Sequence, residues 1–208
     1  EAFSGCSSLK EVKLSETISD IGDYAFAGTA FKTIEFGKNV ASVGPDSFTG
    51  NTALKEFNVV SKNKEFSSED GVLYNKKGTA LVTFPAGKSG DFELPQKVSE
   101  IKEAAFKQSS VDKLILAEDA ALNYIAEYAF EDSKISAIEI PGAVQKINSA
   151  TFRNAKNLKT VKFNDGLTYI AAEAFAGCSA LENVTLPDTL HDIGNSAFED
   201  AGIKVLKT

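Results

Sequence analysis

The sequence predicts an α/β repeat solenoid, with a parallel sheet along one side and short helical turns on the return side. Three observations carry that prediction. An Ala-Phe pair recurs as Ala2-Phe3, Ala25-Phe26, Ala105-Phe106, Ala129-Phe130, Ala174-Phe175 and Ala197-Phe198, with Ser47-Phe48 and Thr151-Phe152 as variants. These phenylalanines lie 22 to 24 residues apart, except for the 58 residues between Phe48 and Phe106. A Leu-x-x-Val-x-Leu segment repeats in step with them. A fixed period of this size means stacked coils, each burying its apolar face against its neighbours.

Each element of the coil has a physical reason. The Leu-x-x-Val-x-Leu segment, as in Leu9-Val12-Leu14, Leu54-Phe57-Val59, Leu158-Val161-Phe163 and Leu181-Val184-Leu186, ends in period-two apolar spacing and reads as a short strand. Proline at 95, 141 and 187 follows it and ends the ladder, having no N–H to donate. A second apolar pair comes next, such as Val98 and Ile101 or Val144 and Ile147. The Ala-Phe pair then sits on an expected short helical turn. Two residues beyond Phe stand Gly5, Gly28, Gly50 and Gly177, or Gln108, Asp132, Asn154 and Asp200. Gly, Asn and Asp tolerate the left-handed backbone that ends a helical turn.

Strands running in one direction at this period form a parallel sheet, and the bulky Phe-bearing segments on the far side predict that the sheet is concave. If Val12 and Leu14 face the core, Lys13 faces out. The same column continues through Glu35, Asn58, Glu93, Ile115, Glu139, Lys162 and Thr185. A second column includes Glu11, Thr33, Glu56, Lys113, Ala137, Thr160 and Asn183. The candidate protein-binding face is therefore Lys13, Glu35, Asn58, Glu93, Lys113, Ile115, Glu139, Lys162 and Thr185, with Ile115 and Ala137 as an apolar spot.

Residues 60–95 read as an irregular repeat within a single solenoid spanning 1–208. Val72-Leu73-Tyr74 and Leu81-Val82-Thr83-Phe84 flank Asn75-Lys76-Lys77-Gly78, the pattern of a β-hairpin with a four-residue turn. The hairpin is expected to be peripheral to the stack, with a basic tip at Lys76-Lys77. The chain opens inside a repeat and has no methionine, so it is expected to be a portion of a longer protein.

The chemistry-bearing residues do not assemble a catalyst. Cys6 and Cys178 share one repeat slot, which elsewhere holds Thr29, Asn51, Ser109, Ser133, Ala155 and Ala201. They stand roughly 35 Å apart at the spacing of parallel strands, too far for a disulfide, and are expected to be buried free thiols. His191 is the lone histidine, beside Asp192 in a variable and therefore exposed slot, and one histidine cannot build a zinc site. No phosphate loop, dinucleotide fingerprint or calcium repeat occurs. A net charge of −7 argues against nucleic acid, whose binding requires lysine and arginine against phosphate. No apolar run is long enough to cross a membrane. No catalytic residue, metal or cofactor is expected.

The pattern of Leu-x-x-Ile-x-Leu-Pro, then Leu-x-x-Ile, then Ala-Phe resembles the BspA-type leucine-rich repeat over nearly the whole chain. Asp70-Gly71-Val72-Leu73-Tyr74 followed by Phe84-Pro85 resembles an insertion of that family. The resemblance implies a leucine-rich-repeat right-handed superhelix from a bacterial surface or secreted protein. It implies a non-enzymatic, extracellular or cell-surface interaction domain that binds host or extracellular-matrix proteins. The alternatives are a structural spacer presenting another domain and an accessory to a glycan-active enzyme.

Overall fold

The structure, a computed structural model, describes residues 1–208. The chain winds as a β-solenoid of about eight turns. Its longer strands form one side. Thr33–Phe36 pairs with Glu56–Val59, Ser89–Glu93, Ser110–Ile115, Ala137–Ile140 and Thr160–Phe163 pair in chain order, and Asn183–Thr185 pairs with Val205–Lys207. All of these pairings are parallel. Their alternation buries Ile34, Phe57, Phe92, Leu114, Ile138, Val161 and Val184 and leaves the intervening residues outside. A second ladder of two-residue strands contains Asp20–Ile21, Ser42–Val43, Glu100–Ile101, Tyr124–Ile125, Lys146–Ile147, Tyr169–Ile170 and Asp192–Ile193.

The expected helical turns on the return side are absent: no segment of the chain is helical. The cause lies in where the backbone N–H groups go. Around Phe106 they alternate between two destinations. Ala105, Lys107 and Ser109 donate within the coil to Lys102, Ala104 and Phe106, at 3.2, 3.0 and 3.0 Å. Ala104, Phe106 and Gln108 donate instead to Glu127, Ala129 and Glu131 of the next coil, at 3.3, 2.7 and 2.9 Å. The same alternation surrounds Phe130, Phe152 and Phe175. A helix would consume every N–H internally; here the next coil takes alternate ones. The geometry requires left-handed backbone at both flanks of the Phe, as at Tyr128 (φ 57°) and Asp132 (φ 54°) or Ala150 (φ 52°) and Asn154 (φ 57°). All eight residues expected to be left-handed two positions after Phe are so; they close a string of turns instead of a helix.

This ladder sets the phenylalanine rings in stacks. Phe130, Phe152 and Phe175 follow one another at 5.1 Å between centroids, with interplanar angles of 12° and 8°. Two stacks exist, Phe3-Phe26-Phe48 and Phe84-Phe106-Phe130-Phe152-Phe175-Phe198. Phe84 heads the second one. It lies 22 residues before Phe106 and donates its N–H to Ala105 at 2.8 Å, so Thr83-Phe84 is a further copy of the repeat. The interruption is therefore shorter than the spacing from Phe48 to Phe106 implies.

The insertion is a three-stranded antiparallel meander, Phe66–Glu69, Val72–Asn75 and Ala80–Thr83. The predicted hairpin is its second half. Asp70 and Gly71, both left-handed (φ 50° and 74°), make the tight turn of the first half. The meander is not peripheral. Val72 and Tyr74 belong to a hydrophobic cluster of 34 residues that continues to Ala197, whereas Leu73 and Phe66 belong to one of 12 residues that begins at Ile21. Strand Val72–Asn75 thus divides the core in two, one face to each block. The turns remain outside, with Glu69, Asp70, Lys76 and Lys77 exposed and Lys76 Nζ donating to the Ser61 carbonyl at 3.2 Å.

The chain rejoins the stack at Gly87, whose N–H donates to Leu54 at 2.8 Å. A Cβ there would stand 2.5 Å from the Thr52 carbonyl oxygen and 2.8 Å from that of Leu54. Both obstacles are backbone and cannot rotate away. Gly87→Ala is expected to cost about 1 to 3 kcal/mol of overpacking, read as a lower urea midpoint. An unchanged midpoint would show that the junction relaxes freely.

Candidate functional site

The strand face places all nine candidate residues, from Lys13 to Thr185, in solvent. Lys13 lies in an extended segment outside any strand; the others are on strands. Register sets Glu35 opposite Asn58, Glu93 opposite Ile115, and Glu139 opposite Lys162. Lys162 Nζ and Asn164 Nδ2 both donate to Glu139 Oε1 at 2.8 Å. These two bonds hold the Glu139 carboxyl below its ordinary range, the Lys162 contribution being the larger.

Four depressions mark this face, and two of them stand out chemically. Leu114, Ile115, Leu116, Ala117 and Ala120 line a hollow of about 370 Å³, rimmed by Glu118, Glu139 and Asn164. Ile115 is 42% exposed there, an apolar centre within a polar rim. The other lies where the Asp70-Gly71 turn interrupts the ladder and the Phe57 N–H donates to Gly71 instead of to a main strand, at 2.8 Å. Glu56, Asp70, Asp91 and Glu93 surround it with a single amine, Lys88. This acidic gap separates the pair Thr33–Phe36 and Glu56–Val59 from the sheet that begins at Ser89–Glu93.

The return side carries a cluster that the strand-based reading missed. Lys107 Nζ lies 2.9 Å from Asp46 and 3.1 Å from Glu131. Glu131 also pairs with Arg153, which reaches Glu173 at 2.7 Å. The Tyr128 ring lies against both cations, 5.9 Å from Lys107 and 5.3 Å from Arg153. Burial alone would lower the Lys107 pKa, but its hydrogen bonds to Asp46 and Glu131 outweigh burial and raise it. The signal was readable: the residue after Phe is Lys107, Glu131 and Arg153 in successive coils. Because Asp46 precedes the meander and Lys107 follows it, this ion ladder ties the two blocks together.

The remaining reactive side chains sit apart. Cys178 is buried, donates its thiol to the Phe152 carbonyl at 3.1 Å, and is pushed up to about 12 by burial. Cys6, by contrast, is exposed rather than buried. At Cys178 the same slot is closed by the preceding coil, through the Phe152 carbonyl. His191 is exposed. No cluster of three or more His, Cys, Asp or Glu is placed to hold a metal ion, and no helix is long and apolar enough to cross a membrane.

The family model for the BspA type leucine-rich repeat region matches residues 1–89 and 82–204. The chain belongs to the BspA-type leucine-rich repeat family. No curated protein matches it in sequence. Among solved structures it is similar to a leucine-rich cell surface protein from Faecalibacterium prausnitzii, at 26% identity and a TM-score of 0.85 over 98% of this chain. It shares the fold of a leucine-rich repeat protein from Eubacterium ventriosum, at 22% identity and a TM-score of 0.73 over 95% of this chain. The pneumococcal vaccine antigen PcpA is similar at 25% identity and a TM-score of 0.61 over 91% of this chain. This BspA-type chain spans 55%, 66% and 42% of those three proteins respectively.

Proposed function

We propose that this BspA-type solenoid is a non-catalytic interaction domain of a cell-surface or secreted protein, and that its strand face binds a host or extracellular-matrix protein. The observation that carries the reading is the exposed hollow at Ile115 inside a rim of Glu118, Glu139 and Asn164, with Lys162 paired to Glu139 beside it. An apolar centre with a charged rim is the anatomy of a protein interface. Similarity to a bacterial cell surface protein supports the location.

The test is a screen of the purified chain against immobilised fibronectin, laminin and collagens, followed by charge exchange. Glu139→Lys should slow association with the captured protein about tenfold, and adding Lys162→Glu should restore much of it, because rim charges act chiefly on encounter. Stability should change by less than about 1 kcal/mol, as for exposed ion pairs. Capture with hydrogen-exchange protection confined to the Phe-bearing return segments would remove the strand-face reading. No capture across the panel would favour a spacer that presents other domains.

A further inference from the structure

A second site lies where the meander interrupts the ladder of short strands. Ser42–Val43 pairs with Asp20–Ile21 on one side and with no strand on the other. The Ser42 N–H donates back to Ser19 at 3.1 Å. Alternation then turns the N–H and carbonyl of Val43 toward the opposite, open edge. In other coils the matching carbonyl is used: Ile21 accepts from Gly44 at 2.8 Å, Ile101 from Ala126 at 2.9 Å and Ile170 from Gly194 at 2.7 Å. No coil follows Val43 in register, because the meander packs there instead.

The open edge borders a cleft of about 420 Å³ between Gly44 and Pro45 on one wall and Phe66, Val82 and Thr83 on the other. Its charged lining is Glu65, Glu103 and Lys102. The Lys102 ammonium is spent on Glu100 at 2.7 Å, whereas neither Glu65 nor Glu103 has an ion-pair partner. Burial, followed by the nearby carboxylates of Glu127, Asp46 and Asp23, raises the Glu103 pKa. The cleft therefore combines a free strand edge, apolar walls and two carboxylates without ion-pair partners, with Lys107 acting on Glu103 only at longer range.

We infer that this cleft takes an extended peptide segment carrying a lysine or arginine, added as a strand to the edge at Ser42–Val43. Main-chain bonds to Val43 supply affinity and register, and Glu65 with Glu103 selects the basic side chain. The inference stands apart from the strand-face reading, since the cleft is lined by none of that face's candidate residues.

The test uses a capped seven-residue peptide of alternating threonine and valine with a central lysine, followed by fluorescence anisotropy on the full chain at low salt. Two N-methylated versions block alternate sets of amides. One should lose binding and the other keep it, because an edge strand uses alternate amides only. Replacing the central lysine by glutamate should weaken binding by about tenfold or more, and Glu65→Gln with Glu103→Gln by about fivefold to tenfold. Glu139→Gln, on the strand face, should leave it unchanged. No binding at about 1 mM peptide, equal binding of both N-methylated versions, or an equal loss with Glu139→Gln would each overturn the inference.

Discussion

Phe152→Ala is expected to remove about 3 to 5 kcal/mol of stability, the sum of lost transfer energy and the cavity left behind. The ring is fully buried and stacks on Phe130 and Phe175, 5.1 Å away on each side. Neighbouring coils cannot close the gap, because their spacing is fixed by Phe152 N–H donating to Ala174 at 2.8 Å and Phe130 N–H donating to Thr151 at 2.7 Å. His191→Ala, on an exposed side chain, should stay within about 0.5 kcal/mol. Urea titration of the two variants decides the matter; equal losses would show that the stack does not carry the fold.

Glu131→Ala should cost about 3 kcal/mol, the low end for removing one member of a buried ion pair. The Glu131 and Lys107 side chains are only 7% and 15% exposed, but Arg153, at 34%, is partly rescued by water. The variant leaves two cations facing the Tyr128 ring with their shared anion gone. Glu131→Gln, which keeps the shape and one acceptor, should recover part of the loss. A pH scan separates charge from packing. The Lys107 pKa is raised in the folded chain, so the native state holds that proton more tightly than the unfolded state does. Its contribution is whole below about pH 10.4, the unfolded lysine value, and fades as pH rises through the higher native value. A Glu131→Ala protein as stable as the parent at pH 7 would reduce the ladder to decoration.

The period of the phenylalanines made the coil legible, and strand alternation made the outward column legible, because both are one-dimensional patterns. The return segment was misread for a physical reason. Ala171-Ala172-Glu173-Ala174-Phe175-Ala176 has high intrinsic helix propensity, yet the neighbouring coil draws off the N–H groups of Glu173 and Phe175, to Asn195 and Ala197. Tertiary pairing overrides local preference there. Thr83-Phe84 was absorbed into a hairpin although its 22-residue distance to Phe106 fitted the repeat. Likewise Asp70-Gly71 is a strong turn signal whose first strand, Phe66–Glu69, is too polar to announce itself. The acidic gap and the seam cleft were not legible at all, since both arise from where the meander docks rather than from any motif.

The alternating hydrogen bonds of the return side also give the solenoid an electrical direction. The inter-coil backbone bonds donated by each Phe and by the residue two positions after it all run the same way, from an N–H of one coil to a carbonyl of the next, as from Gly5 to Ala27, Gln108 to Glu131 and Gly177 to Glu199. Parallel strands send N–H and carbonyl groups both ways and nearly cancel; the return side has no such cancellation. Its peptide dipoles add along the axis as they do in an α-helix, but with the positive pole at the C-terminal end.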